Sequence, residues 1–170
     1  MTLTFLGTRG EIVARSRRHW RHTAALVESQ RYRIMIDAGT DWLGRVSRLN
    51  LDALLLTHAH ADHAGALRQG SPCPVYATAA TWKLVGHWPI DDRHLLRPWE
   101  PREIGGLTIE AVPVGHSVRA PAVGYRLSHR GRTVFYVPDL AALPRAARAL
   151  AGVRLYVGDG ASIARPILRR

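Results

Sequence analysis

Apolar and polar positions alternate, or gather into short apolar runs, between glycine, proline and polar turns; this is the pattern of strands. It predicts strands at 3–6 (LTFL), 23–29 (TAALVES) and 32–39 (YRIMIDAG), with Ser29, Gln30 and Arg31 as a hairpin turn. Residues 51–58 (LDALLLTH) form a continuous apolar run, the signature of a strand buried on both faces. A short helix is expected over 64–70, closed by Gly70, then a strand at 74–78 and a second helix at 79–87. Residues 87–103 carry Pro89, Pro98 and Pro101 and read as an irregular surface loop. Strands follow at 107–116, 122–129 and 132–139, then a helix at 144–150 and a last strand at 153–160. This order predicts an α/β protein, either a mixed sheet covered by helices or two such sheets face to face.

A chain of 170 residues fits one domain, 1–170, large enough to bury a real core. With 46% hydrophobic and 22% charged residues it has the make-up of a soluble globular protein. No apolar run nears the roughly 20 residues of a membrane span. The opening MTLTFLGTRGEI lacks the basic-then-apolar order of a secretory leader. Cys73 is the only cysteine, so no internal disulfide can form. A cytoplasmic setting without membrane contact is therefore expected.

Charge changes the picture further. The net charge is +11, and Lys83 is the only lysine. Arginine offers a planar fork suited to phosphate, which points to an anionic substrate or to nucleic acid. The segment RSRRHWRH (15–22) sets Arg15, Arg17, Arg18 and Arg21 around Trp20. Such a cluster can hold a backbone and stack a base, or can simply be a solvated loop; both readings stand.

The strongest chemical signal is THAHADHAG (57–65). It places His58, His60, Asp62 and His63 within six positions, straight after the buried run. His58 and His60, two apart at the end of that strand, point their rings to the same side. Asp62 and His63 fall where a helix starts and can turn back toward the same point. Imidazole and carboxylate are ligands of zinc, manganese and iron. His116 in VPVGHS and Asp139 in FYVPDL end two further predicted strands and extend the set. Four such residues in H-x-H-x-D-H, with two more at strand ends, are hard to explain by polar packing alone.

H-A-H-A-D-H, a later G-H and a still later V-P-D resemble the metallo-β-lactamase fold superfamily of hydrolases. The resemblance runs from LTFLGTRG through IDAG (36–39) to VGDG (157–160). SVRAPAVGYRL after His116 is most like the phosphodiesterase branch, which includes RNase Z and the cyclic phosphodiesterase of phosphonate breakdown. The resemblance implies a metallo-β-lactamase-like αββα sandwich with its C-terminal part incomplete. It also implies two divalent metal ions, zinc foremost, with manganese or iron as alternatives. His58, His60 and His116 would hold one ion, Asp62 and His63 the other, and Asp139 would bridge them. Asp62 would also orient an attacking hydroxide, Asp37 would steady a ligand from behind, and Ser117 would lie near the substrate. The implied substrate is a phosphodiester, either a small molecule such as a cyclic nucleotide or RNA or DNA.

Members of that branch carry a further metal-binding histidine beyond the point where this sequence stops. Here only His129 follows His116, and it looks like an exposed hairpin tip. Asp159 reads as a turn residue in the first instance and could otherwise approach the site. The second ion would then be one ligand short. A homo-oligomer or a completing partner chain is expected, as is an unpaired sheet edge. Alternatives to a phosphodiesterase are a metal-binding subunit inactive alone, or a thioester or lactone hydrolase on the same core.

Overall fold

The computed structural model describes residues 1–17, 19–30 and 32–159. The first sheet comprises β1 (Thr2–Gly7), β2 (Ala24–Ser29), β3 (Tyr32–Ile36), β4 (Ala53–Leu55), β5 (Val75–Ala77) and β6 (Arg93–Leu95), in that spatial order. β1, β2 and β3 pair antiparallel, and β3 through β6 pair parallel. The second sheet runs β11 (Val153–Val157), β10 (Arg132–Tyr136), β9 (Ala122–His129), β8 (Leu107–Val114), β7 (Arg102–Ile104). Its pairs are antiparallel except β10 with β11. Two mixed sheets face each other with helices on their outer faces, an α/β sandwich as expected.

The pleat explains the layers, because successive side chains leave a strand on opposite faces. In β3, Ile34 and Ile36 enter the core between the sheets, where they join Leu55, Ile109, Tyr125 and Leu127. Met35, between them, turns to the outer face with Leu54, Leu56 and Leu67. The 53–56 run is thus buried on both faces, which is why it shows no alternation. Outside the first sheet lie α1 (Ala61–Ala64) and α2 (Ala79–Val85). Outside the second, α3 (Ala146–Leu150) covers Val112, Phe135 and Val137 through Ala149. Tyr125 joins the layers by donating its hydroxyl to the Leu56 carbonyl at 2.6 Å.

Several expectations are corrected. Residues 87–103 are not wholly irregular, since β6 and β7 lie within them. Both are three-residue edge strands with mostly exposed side chains, too short and too polar to show a period. The helix expected over 64–70 begins earlier, as the single turn of α1, and continues as a tighter 3₁₀ helix over Gly65–Gln69. Short 3₁₀ turns at Thr40–Trp42 and Val46–Leu49 were not anticipated. The hairpin turn holds at Gln30, whose φ is +55°, while Arg31 lies outside the described residues. The last strand ends at Val157, and Gly160 also falls outside them. Among the described residues no helix is long and apolar enough to cross a membrane.

Candidate metal centre

β4 ends at Leu55, so His58 and His60 stand in the loop beyond the strand and not on its pleat. The loop itself brings their rings together, with centroids 4.6 Å apart. His60 then precedes α1, whose single turn presents Asp62 and His63. Close backbone approach makes this possible. A Cβ at Gly39 would lie 2.0 Å from the Asp62 carbonyl oxygen, so only glycine lets the two loops meet there. From the second sheet come His116, just after β8, and Asp139, after β10. Their loops are clamped by mutual hydrogen bonds between Gly115 and Ala142.

Six side chains converge in two overlapping groups: His58, His60, His116 and Asp139, and Asp62, His63 and Asp139. His58 Nε2 is 3.0 Å from His60 Nδ1 and 3.5 Å from Asp139 Oδ2. His116 Nε2 is 3.3 Å from each of those same atoms. On the other side, His63 Nε2 lies 3.1 Å from Asp139 Oδ2 and 3.4 Å from Asp62 Oδ2. Donors held about 2.0–2.2 Å from one ion stand roughly 3–4.4 Å apart. These separations fall inside that range.

The hydrogen-bonding census points the same way. Among the described residues, Asp62 Oδ1 and His63 Nε2 are buried without a hydrogen-bond partner. Buried polar atoms are rarely left so unless something else meets them. The donor set and these orphaned atoms fit a divalent cation, and the cluster is suited to metal binding.

Behind the cluster, Asp37 sits fully buried at φ +62°, a left-handed backbone that aspartate tolerates. His63 Nδ1 lies 2.8 Å from Asp37 Oδ2. Thr57 donates to the same carboxylate from its backbone N–H (2.8 Å) and its hydroxyl (2.7 Å). With its proton committed, that hydroxyl accepts from His58 Nδ1 at 3.0 Å. One carboxylate therefore fixes the tautomer of two histidines, His63 directly and His58 through Thr57, and leaves both Nε2 lone pairs facing the cluster.

Charge follows from this arrangement. Burial alone would push His63 down, but Asp37, Asp139 and Asp62 outweigh it and hold the imidazole well above its ordinary value. Burial with three neighbouring imidazoles drives His58 well below. Burial also lowers His116, against the pull of Asp139. For Asp139, burial would raise the carboxyl, yet the His63 imidazole beside it, with His58 and His116, brings it far below the carboxylate range.

Other expected residues lie nearby or elsewhere. The Arg9–Gly10 turn abuts the cluster, since a Cβ on Gly10 would stand 3.8 Å from Asp62 Oδ2. Beyond it, Arg15 bonds Asp41 Oδ1 at 2.8 Å and stacks over Trp20, while Arg21 stacks over Trp42. Arg17 is exposed, and Arg18 lies outside the described residues. Ser117 is half-buried beside His116. His129 is no free hairpin tip: its Nδ1 lies 3.1 Å from the Gly106 carbonyl and 3.3 Å from Ser29 Oγ. Asp159 is exposed and belongs to neither group. Sequence reasoning missed Thr57, although it directly precedes His58, and the buried Arg9 that pairs with Asp41.

Residues 32–165 match the sequence model of the beta-lactamase superfamily domain. The chain belongs to that metallo-β-lactamase superfamily. Exodeoxyribonuclease WalJ of Streptococcus pneumoniae is 29% identical over 112 residues, covering 56% of this chain and 42% of that protein. Ribonuclease Z of Bradyrhizobium diazoefficiens is 33% identical over 140 residues, covering 67% and 46%. The chain thus spans less than half the length of these curated relatives. A solved diphosphatase of the PhnP family shares the fold with a TM-score of 0.69 at 21% identity, over 91% of this chain and 72% of that one.

Proposed function

We propose that this chain carries the catalytic core of a metal-dependent phosphodiester hydrolase. The observation that carries the reading is the convergence of Asp139 Oδ2 with the Nε2 atoms of His58, His63 and His116 at 3.1–3.5 Å. His58, His60 and His116 would hold one divalent ion, Asp62 and His63 a second, and Asp139 would stand between them. Zinc suits the imidazole-rich set, and manganese or iron suit it too. When bound, such ions make water nucleophilic near neutral pH and offset the charge that develops on a phosphate.

The chain's own residues do the rest. Asp37 and Thr57 hold His63 and His58 in the tautomers that offer Nε2. Asp62 is placed to accept a proton from an attacking water. Gly10 comes up against Asp62, and Arg17, further along the same segment, is exposed and available to an anionic substrate. Phosphodiester chemistry is favoured over thioester or lactone hydrolysis by that positive charge. The names of the relatives, a deoxyribonuclease and a ribonuclease, support it further.

The test is turnover of bis-p-nitrophenyl phosphate and 2′,3′-cyclic nucleotides with Zn²⁺ or Mn²⁺, beside a count of bound metal. Metal-stimulated release of product is expected. Bound metal with no turnover on any diester would remove the reading for this chain.

A further inference from the structure

A cavity of about 620 Å³ opens beside His60, between the end of α2, the 65–69 turn and the loop after His116. Its size lies within the range of sites that hold small molecules and cofactors, roughly 300–1,000 Å³. His60 and Ala59 form the wall shared with the cluster, so a ligand in the cavity reaches the reacting position directly. Arg68, Arg119, His87 and Trp88 line it further, beside the apolar Leu84, Val85 and Ala120, and among the described residues no carboxylate does. The Arg68 guanidinium lies over the Trp88 ring, 5.8 Å from its centroid. Arg68 and Arg119 are both exposed, and among the described residues neither forms an ion pair.

A minimal diester needs only the cluster. Two unpaired guanidinium groups and an indole in the adjoining cavity meet nothing on such a substrate. They match a longer one, in which a second phosphate and a base follow the bond to be cut. Cations that track a backbone, with an aromatic ring on which bases stack, make a sequence-tolerant site for single strands. We propose that this cavity binds single-stranded nucleic acid flanking the scissile phosphodiester. Arg68 and Arg119 take the neighbouring phosphate groups and Trp88 stacks the adjoining base. The inference deepens the phosphodiesterase reading and rests on it.

Binding is measured without turnover, on the full chain in EDTA, by anisotropy of fluorescein-labelled ten-nucleotide oligo-dT and oligo-U across a salt series. The Arg68→Ala/Arg119→Ala double variant should bind at least about tenfold more weakly. Its log–log salt slope should flatten by about 1.4, two phosphate contacts at about 0.7 each. Trp88→Leu should weaken binding between about five- and about 150-fold and leave the slope unchanged. Binding on either oligonucleotide arm supports the site, and a preference between them reports whether the sugar is read. Both arginines are exposed, so their loss leaves the fold intact even if Trp88→Leu destabilises it. A double variant with wild-type affinity and slope overturns the inference. A wild type inactive on every diester, yet binding oligonucleotide through Arg68 and Arg119, overturns only the catalytic reading.

Discussion

Segments 57–63 and 8–22 meet at Asp62, where Gly10 comes up against its carboxylate. On the first segment, His58 and His63 have no exposed surface, and each is tied to Asp37 directly or through Thr57. On the second, the Arg15 side chain is 42% exposed and Val13 is 96% exposed. That loop is anchored mainly at its base, where Arg9 and the His22 backbone N–H both bond Asp41. The contrast separates two requirements. A metal cradle needs donor atoms fixed to a fraction of an ångström by buried partners. A surface that meets substrate can be held at its ends and left open between them.

Removing the Asp37 carboxylate is the largest break in that contrast. Asp37→Ala strips acceptors from the Thr57 N–H, the Thr57 hydroxyl and His63 all at once. Loss of one partner from a buried charged pair costs about 3–5 kcal/mol. Chemical denaturation in EDTA should show a loss of that size, and any metal affinity that survives should fall about 10- to 100-fold. A loss below about 1 kcal/mol would mean that Asp37 does not organise the cradle.

The metal-free protein should also show the cradle's charge in its pH profile. The Asp37–His63 pair titrates as a unit and keeps its proton above the free imidazole value. Its contribution is complete below the unfolded value of about 6.5 and is lost as pH rises through the folded one. His58 and His116 work in the opposite sense, since their folded values lie below the unfolded one. Stability is lost as pH falls below about 6.5, because only the unfolded chain takes up those protons. Each proton contributes a slope of up to about 1.4 kcal/mol per pH unit. Denaturation in EDTA between pH 5 and 9 should therefore peak near about 6.5. In His63→Gln the decline on the alkaline side should disappear. A profile with no maximum would show that these groups do not titrate as their surroundings require.

Thr57→Val sharpens the comparison on a smaller scale. It keeps the shape and the backbone bond to Asp37 but removes the link to His58. A hydrogen bond to a charged group contributes about 1.5–3 kcal/mol, so a loss near the lower end is expected in stability. Metal titration should show about a tenfold loss of affinity, smaller than that of Asp37→Ala. Equal effects would mean that His58 does not depend on the threonine.

The cluster residues were legible because H-x-H-x-D-H is local, and because Gly115-His116 and Pro138-Asp139 follow strands whose apolar runs are easy to see. The buried strand at 53–55 was legible for the same reason. Edge strands β6 and β7 were not, because Arg93-His94-Leu95 and Arg102-Glu103-Ile104 bury too little to leave a pattern. The route from Asp37 through Thr57 to His58 depends on a left-handed backbone and a parallel pairing of β3 with β4, neither written in residue type. The Arg68, Trp88 and Arg119 cavity joins residues some 50 positions apart, from three elements. No spacing rule gathers them.

Arg15→Ala should have the smallest effect on stability, and it tests the other side of the comparison. Arg15 contributes one ion pair to Asp41 and a ring contact with Trp20, both at the surface. Exposed pairs contribute about 0.2–1 kcal/mol, and salt screens them further. Asp41 also keeps Arg9, which is buried, and the His22 N–H as partners when Arg15 is gone. A stability loss under about 1 kcal/mol is therefore expected, shrinking at high salt. A loss of about 3 kcal/mol that salt does not reduce, comparable to a buried pair, would place Arg15 in the scaffold. The arginine loop would then be part of the cradle's foundation, and the division between fixed donors and an open rim would fail at this residue.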